Sequence, residues 1–346
     1  MLLNEQFWKD KKILITGING FIGANLAKSL INKGASVYGL IRNYNPNSFL
    51  YFEKINEKAT LINGDITDFN LIKRIFAEEG IQHVFHLAAQ VEVGTALKYP
   101  YITWESNIRG TYTLLESIRE IKKDIKSIII ASSDKAYGSY PIDELPYKES
   151  YPLKPEYPYD VSKACSDLIA QAYCSKPFNF PIIITRFANI YGPGQLNFSA
   201  LVPDCIRSAL GHSKFIPRTN GDHYRDFLYV DDVVDLYILL AKKLSKDKYL
   251  YGQVFNAGSN KPINIKLLIM RIFQLAMKKE SYVNFQKKIK FPKSIPDGEI
   301  LFQQMDYKKI SKSFKWKPKT KIDEGIRLSI KWYKRYLDDQ QMLKKI

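Results

Sequence analysis

The chain has 346 residues, 45% of them hydrophobic, enough for one large core or two modest ones. No apolar run approaches the ~20 residues that cross a bilayer, and the opening from Met1 to Lys12 lacks a signal-type apolar core, so a cytoplasmic protein with no membrane partner is expected. The net charge is +17, with 22 Lys plus Arg against 8 Asp plus Glu between Lys261 and Ile346, but these lysines are scattered among apolar residues as on solvated helices, which argues against nucleic acid as the partner.

Lys12 to Thr16 is a short apolar run that ends in Gly17-Ile-Asn-Gly-Phe-Ile-Gly23, and an amphipathic stretch from Phe21 to Asn32 follows until Gly34 stops it. Strand, glycine turn and helix in this order let the backbone approach a pyrophosphate, which the helix N-terminus also attracts. Gly17, Asn19, Gly20, Phe21, Ile22 and Gly23 are therefore candidate cofactor contacts. The spacing is Gly-x-x-Gly-x-x-Gly, not the commoner Gly-x-Gly-x-x-Gly. Ser36 to Ile41 reads as the second strand, ending at Arg42. An acid there would bond the ribose hydroxyls of NAD, whereas an arginine can accommodate the extra phosphate of NADP. Arg42 is present and the acid is missing, which leans towards NADP and leaves both cofactors open.

The alternation continues. Ala59 to Asp65 is strand then turn, with Asp65 and Ile66 placed to meet the adenine, and Asp68 caps a helix to about Glu79. His83 to Ala89 is a strand opening into small residues, where Leu87, Ala88 and Ala89 make a second close approach to the cofactor. Thr103 to Lys122 reads as one long helix carrying Asn107. Ser127 to Ala131 is the apolar fifth strand expected where both sheet faces are buried. At its C-terminal end, where ligands of open parallel sheets bind, stands Ser132-Ser-Asp-Lys-Ala-Tyr-Gly138.

Pro141, Pro146, Pro152, Pro155 and Pro158 mark a loop that delivers the chain to Tyr159-Asp-Val-Ser-Lys163, at the head of a small-residue helix. Residues four apart share a helix face, so the Lys163 ammonium is expected beside the Tyr159 phenol. A free tyrosine titrates near ~10; a neighbouring cation lowers that value and lets the phenol take a proton from a substrate hydroxyl. Ile182 to Phe187 is a sixth strand, after which the pattern loosens, and residues 226–230 with the helix from Asp232 are expected to return to the main sheet. The expected fold is α/β, a Rossmann-type doubly wound parallel sheet over 1–189 plus about 226–257. A smaller discontinuous C-terminal substrate-binding region is expected over 190–225 and 258–346. Three cysteines and four histidines show no metal-ligand spacing, so no metal is expected.

Gly17-x-x-Gly20-x-x-Gly23, His86-Leu-Ala-Ala89, Asn107, Tyr159-x-x-x-Lys163, Arg186 to Gly194 and Arg225 to Asp232 stand in the order of a known family. Over nearly its whole length the chain resembles the extended short-chain dehydrogenase/reductases that act on nucleotide sugars. The resemblance implies a nucleotide-diphosphate sugar as substrate and an NAD or NADP that stays bound and is regenerated each turnover. It adds Asn107 and Ser132 to the cofactor contacts, alongside Tyr159 and Lys163, and implies substrate contacts at Gln90, Asn189, Asn197 and Arg225. Arg225 suits a diphosphate because its fork binds oxygens bidentately. The helices carrying Asn107 and Tyr159 look like the pair that forms a homodimer interface in relatives.

Within that family the tripeptide after the fifth strand sorts reactions. Epimerases carry Ser or Thr without an acid pair, and dTDP-glucose dehydratases carry Thr-Asp-Glu. Ser133-Asp134-Lys135 is similar to CDP-glucose 4,6-dehydratases and to inverting UDP-N-acetylglucosamine dehydratases, and Phe7-Trp8-Lys9 also looks like the former. The glycine turn and the Arg225-Asp-Phe segment have the generic family form. Dehydration across C5 and C6 of a hexose needs an acid for the departing hydroxyl and a base for the C5 proton. Asp134 with a raised pKa and Lys135 with a lowered one could supply them, beside Ser133, Tyr159 and Lys163. The expected reaction is therefore 4,6-dehydration of an NDP-hexose resembling CDP-glucose. A 4-epimerase or 4-dehydrogenase using the same Tyr–Lys pair is the alternative, and a non-catalytic dinucleotide-sensing or nucleic-acid-binding protein the remote one.

Overall fold

The computed structural model describes residues 6–122, 124–294 and 300–343. Residues 1–5, part of the opening read above for a signal-type core, lie outside the described residues, as do 295–299 and 344–346 of the expected substrate-binding region. In chain order the strands are β1 (Lys12–Thr16), β2 (Ser36–Ile41), β3 (Thr60–Asn63), β4 (His83–His86), β5 (Ser127–Ala131), β6 (Ile182–Phe187), β7 (Asn189–Tyr191), β8 (Tyr224–Arg225), β9 (Phe227–Tyr229), β10 (Val254–Ala257) and β11 (Ile263–Asn264). Seven of them pair in parallel in the order β10-β6-β5-β4-β1-β2-β3. This is a Rossmann-type doubly wound sheet.

The helices are α1 (Phe21–Asn32), α2 (Phe49–Phe52), α3 (Phe69–Glu78), α4 (Val93–Lys98), α5 (Pro100–Trp104), α6 (Gly110–Ile121), α7 (Pro158–Cys174), α8 (Leu201–Ala209), α9 (Val230–Leu244), α10 (Ile265–Ala276), α11 (Lys279–Lys288), α12 (Lys308–Phe314) and α13 (Ile322–Leu343). β-branched runs make the central strands, and their side chains alternate between two cores. Ile129 and Ile183 face α1 and α9, while Ile128, Ile130, Ile182 and Ile184 face α3, α6 and α7. All six are fully buried. Asp68 starts α3 by accepting from the Leu71 N–H at 3.0 Å. Among the described residues no helix is long and apolar enough to cross a membrane.

Two expectations about the chain path need correction. Residues 226–230 do not rejoin the main sheet: β9 pairs with β7, and β8 with β11. The buried carboxylate of Asp226 holds this segment instead to the backbone N–H groups of Ser259, Asn260 and Met305, at 2.8, 3.1 and 3.2 Å. The sheet edge is taken by β10, and α9 packs beneath β5 and β6. The helix expected from Thr103 to Lys122 is interrupted by a π-helical turn, Glu105–Arg109. Such a turn frees a carbonyl from the regular ladder; here the Asn107 carbonyl accepts from Thr111 Oγ1 at 2.6 Å and Ser166 Oγ at 2.7 Å.

Candidate active site

A cavity of about 720 Å³ opens at the C-terminal ends of β1, β4, β5 and β6. Its floor is the glycine turn. Gly17 has φ +74°, and a Cβ there would come within 2.8 Å of the Ala88 nitrogen. A Cβ on Gly23 would meet the Gly17 carbonyl oxygen at 2.2 Å, so only glycine permits this closure of turn on helix. The N-terminus of α1 carries no side-chain cap and no acid in its first turn, leaving its first N–H groups to face the cavity. Asn19 Oδ1 is buried there without a partner. Uncapped amides, an unpaired polar atom and room of this size fit a dinucleotide diphosphate.

Gly17, Asn19, Gly20, Phe21, Ile22 and Gly23 all line this cavity. So do Arg42, Asp65 and Ile66 at one end, and Leu87, Ala88 and Ala89 in the wall. Arg42 Nη1 lies 3.7 Å from Asp65, so its charge is partly offset. Thr16 Oγ1 holds the Leu87–Ala88 turn by accepting from both N–H groups at 3.2 Å, and its hydroxyl lies 2.9 Å from His86 Nδ1. With two donors already on that oxygen, its proton goes to Nδ1. His86 Nε2–H then donates to Thr111 Oγ1 at 3.1 Å. Burial holds this imidazole neutral, with its pKa lowered to about 3.

At the other end Ser132, Ser133, Asp134, Lys135, Tyr159 and Lys163 converge. Ser133 Oγ donates to Asp134 Oδ1 at 3.0 Å and accepts from the Lys135 N–H at 3.2 Å, which starts a helical turn and turns both side chains inward. Asp134 is 4% exposed and its Oδ2 has no partner. Burial raises its carboxyl above the usual range, with Lys135, Ser133 and Arg225 opposing. Lys135 is driven the other way, first by burial and then by Arg225, with Asp134 and Asp160 opposing. Asp160, buried beside them, is raised to about 6 by burial, against the pull of Lys135, with the charges of Asp134 and Glu156 adding to the rise. One carboxyl is biased towards its neutral acid and one amine towards its neutral base.

The Tyr159–Lys163 expectation is only partly met. Both line the cavity, but the Lys163 ammonium donates to the Ala131 carbonyl at 2.9 Å. Burial and the Asp134 charge raise the phenol's pKa, and the lowering influence is a hydrogen bond with Ser133. Lys163 itself is lowered to about 8 by burial. A helical offset of four put both groups on one face without fixing where the ammonium is anchored.

Two further residues have positions other than those expected. Asn107 does not line the cavity: it is 2% exposed, and its amide bonds the backbone of Gln90 and Ser162 Oγ. Gln90 is likewise outside, with its side chain donating to the Glu92 carbonyl and accepting from Thr103 Oγ1, both at 3.0 Å. Each has its polar atoms used internally. Asn189 and Asn197 line the cavity. Arg225 lines a smaller adjoining cavity of about 290 Å³, which shares Asn189, Gln195 and Ala200 with the larger one. Gln195 and Tyr237 also line the larger cavity and had no motif to announce them, and Phe187 lines it from within the Arg186 to Gly194 motif, which gave it no site role. Phe7 and Trp8 pack edge-on against His83, at the far end of β4, and touch neither cavity. No group of His, Cys, Asp and Glu suited to a metal occurs among the described residues.

A family model described as GDP-mannose 4,6 dehydratase matches residues 14–329. The dTDP-glucose 4,6-dehydratase of Shigella flexneri is 32% identical over 93% of this chain and 92% of its own length. That of Homo sapiens is 29% identical over 94% and 90%. The crystal structure of dTDP-glucose 4,6-dehydratase from Bacillus anthracis in complex with NAD superposes with a TM-score of 0.79 at 26% identity, covering 94% of this chain and 97% of that one. UDP-glucose 4-epimerase from Thermotoga maritima, solved with UDP-glucose, gives 0.81 at 27% identity, over 94% and 99%. The chain therefore belongs to the GDP-mannose 4,6-dehydratase family, the nucleotide-sugar 4,6-dehydratases among the extended short-chain dehydrogenase/reductase enzymes.

Proposed function

We propose that the substrate is an NDP-hexose with CDP-glucose as first candidate, converted to the 4-keto-6-deoxy sugar, and that the resident cofactor is NAD. The observation that carries the reading is the burial of Asp134 beside Lys135 with opposite protonation biases, in one cavity with Tyr159. A plain epimerase needs the tyrosine but has no use for that pair. Lysine at 135 also separates this chain from the Thr-Asp-Glu type and favours CDP-glucose over dTDP-glucose. NAD is supported by the offset of Arg42 by Asp65 and by the Bacillus anthracis relative solved with NAD.

In this reading Tyr159, hydrogen-bonded with Ser133, takes the proton of the C4 hydroxyl. Gly17, Gly20, Gly23 and the α1 N-terminus would hold the dinucleotide diphosphate, and Lys163 borders its reactive end. When bound, the nicotinamide would accept hydride from C4, bring positive charge towards Tyr159 and return the hydride to C6. Once C4 is a ketone the C5 proton is acidic enough for Lys135 to remove, while Asp134 protonates the departing C6 oxygen. Asn189 and Asn197 face the sugar, and Arg225 the diphosphate beyond it. Incubating the protein with CDP-, dTDP-, UDP- and GDP-hexoses and following product mass tests this. Loss of one water from the CDP sugar is expected; a product of unchanged mass, or one lighter by two hydrogens, replaces dehydration with epimerisation or simple oxidation.

The working unit is proposed to be a homodimer. Leu97, Tyr101, Ile102, Trp104, Tyr112 and Leu168, on α4 to α7, are exposed apolar side chains on neighbouring helices, an arrangement that favours burial against a second copy.

A further inference from the structure

The smaller cavity contains a buried polar group that the reaction outlined above leaves idle. His223 lies in its wall, 6% exposed, and its Nδ1 has no hydrogen-bond partner. Native structures rarely keep such an atom unless a ligand or water completes it. His223 precedes β8, where the Tyr224 ring stacks on Phe302 with centroids 5.0 Å apart. Alternation along the strand then turns His223 and Arg225 to the opposite face together. The charges acting on His223 are Arg225 and Lys135 from the reaction side and Asp222 on its own segment, with Asp204 and Arg218 in the same cavity wall.

Burial, Arg225 and Lys135 hold the imidazole neutral, with its pKa lowered to about 4 against the pull of Asp222. An anionic group seated in this cavity would reverse that balance. It offsets the two cations and offers oxygen acceptors to a ring nitrogen.

We propose that His223 is a contact for the anionic diphosphate of the substrate, taking a proton from solvent as that group enters the smaller cavity and returning it on release. This rests on the nucleotide-sugar reading above. It makes His223 a determinant of substrate affinity, apart from the Asp134–Lys135 chemistry, and couples binding to pH.

Calorimetric titration with CDP, dTDP, UDP and GDP near pH ~6, in two buffers of different ionisation enthalpy, counts protons taken up. The wild type should take up more protons than His223→Gln, by up to one per site; ionisation of the nucleotide itself is common to both and cancels. Wild-type affinity should fall relative to the variant, by up to about tenfold per pH unit, as pH rises through the imidazole pKa of the complex. In turnover with the preferred NDP-hexose, His223→Gln should raise KM roughly tenfold and leave kcat within about threefold. Equal proton uptake by both proteins, or an unchanged KM, overturns the proposal. If His223→Gln fails to fold, nitrogen NMR of the wild-type imidazole serves instead: a ring still neutral in the complex near pH ~5 is equally fatal. Failure of all four diphosphates to bind the wild type counts against the nucleotide-sugar reading itself.

Discussion

Asn107 grips the peptide groups of Gln90 from both sides: Oδ1 accepts from the Gln90 N–H at 2.7 Å and Nδ2 donates to the Gln90 carbonyl at 3.0 Å. The same Nδ2 donates to Ser162 Oγ at 2.8 Å, and Ser162 donates to the Tyr159 carbonyl at 2.7 Å. One buried amide therefore ties the loop after β4, which walls the dinucleotide site, to the first turn of α7, which carries Tyr159. Its role is positional.

Asn107→Ala should leave both Gln90 backbone groups unpaired. A buried polar group without a partner costs about 1–3 kcal/mol, so urea denaturation should show a loss of roughly 2–4 kcal/mol, partial hydration of the gap keeping it below the simple sum. The loosened wall should also let the dinucleotide dissociate during gel filtration. Asn107→Asp keeps the acceptor and loses the donors, so its effect should be intermediate. Full retention of cofactor by Asn107→Ala would contradict the positional role.

Asp134→Asn removes the acid and leaves the oxidising half of the site untouched. On mixing with the preferred NDP-hexose, reduced-dinucleotide absorbance should still appear while water loss falls by roughly 10²–10⁴, the usual contribution of a positioned acid or base. The wild-type pH–rate profile should be bell-shaped. Asp134 is shifted up and Lys135 down, and each shift enlarges the fraction of enzyme holding a protonated acid beside a neutral amine. Lys135→Met should abolish solvent-deuterium exchange at C5, which separates its role from that of Asp134.

The elements that position this chemistry were legible because each is locally consistent. The runs at β1, β2, β5 and β6, the glycine turn and the Asp68 cap declare themselves by period, composition and special residues. What sequence spacing could not carry was the partner of each polar group. Asn107 and Lys163 were both named from motifs, yet one bonds Gln90 and Ser162 outside the cavity and the other the Ala131 carbonyl. The π-helical turn at Glu105–Arg109 has no glycine or proline signal, because it is stabilised by hydroxyls of Thr111 and Ser166 on α6 and α7. Residues 226–230 read as a core strand by their apolarity. Their placement follows from Asp226 binding backbone of residues 259, 260 and 305, a long-range contact with no local trace.

Beneath the site Arg186 and Asp167 form a buried bidentate pair, with Nε to Oδ2 at 2.7 Å and Nη2 to Oδ1 at 3.0 Å, and both residues are at most 3% exposed. Asp167→Asn leaves the guanidinium charged, with its counter-charge gone and one of the two Asp167 hydrogen bonds lost. Breaking such a pair costs about 3–5 kcal/mol. The double variant Asp167→Leu with Arg186→Met should recover much of that loss, because desolvating two charges offsets most of their attraction. Comparing the two in a denaturant series decides whether the pair stabilises the fold or chiefly fixes its geometry.

Leu97 and Tyr101 head the exposed apolar face on α4 and α5, at 54% and 69% exposure. If a second copy covers this face, Leu97→Glu with Tyr101→Lys should shift sedimentation from dimer to monomer without lowering the monomer's own unfolding free energy by more than ~1 kcal/mol. A wild type that sediments as a monomer at tens of micromolar removes the dimer from the proposal.

Below neutral pH the buried imidazoles should withdraw stability, while Asp160, raised to about 6, takes up its proton in the native state and acts with the opposite sign. His83 is 1% exposed, packed edge-on against Trp8 with centroids 5.0 Å apart, and its Nδ1 lies 2.8 Å from Ser127 Oγ. Burial, then Lys11 and Lys126, lower its pKa to about 4. Below the unfolded value of about 6.5 the unfolded chain binds a proton at this position that the native state refuses, so stability falls as pH drops from roughly 6.5 towards 4. Integrated over that window the loss from His83 is about 3 kcal/mol. His86, held lower still at about 3, adds a loss of the same sign that continues further into acid. His83→Gln keeps an amide for Ser127 and cannot be protonated, so its stability should decline less between neutral pH and about pH 4 than the wild type's. Parallel curves for the two proteins would mean that acid unfolding is driven elsewhere.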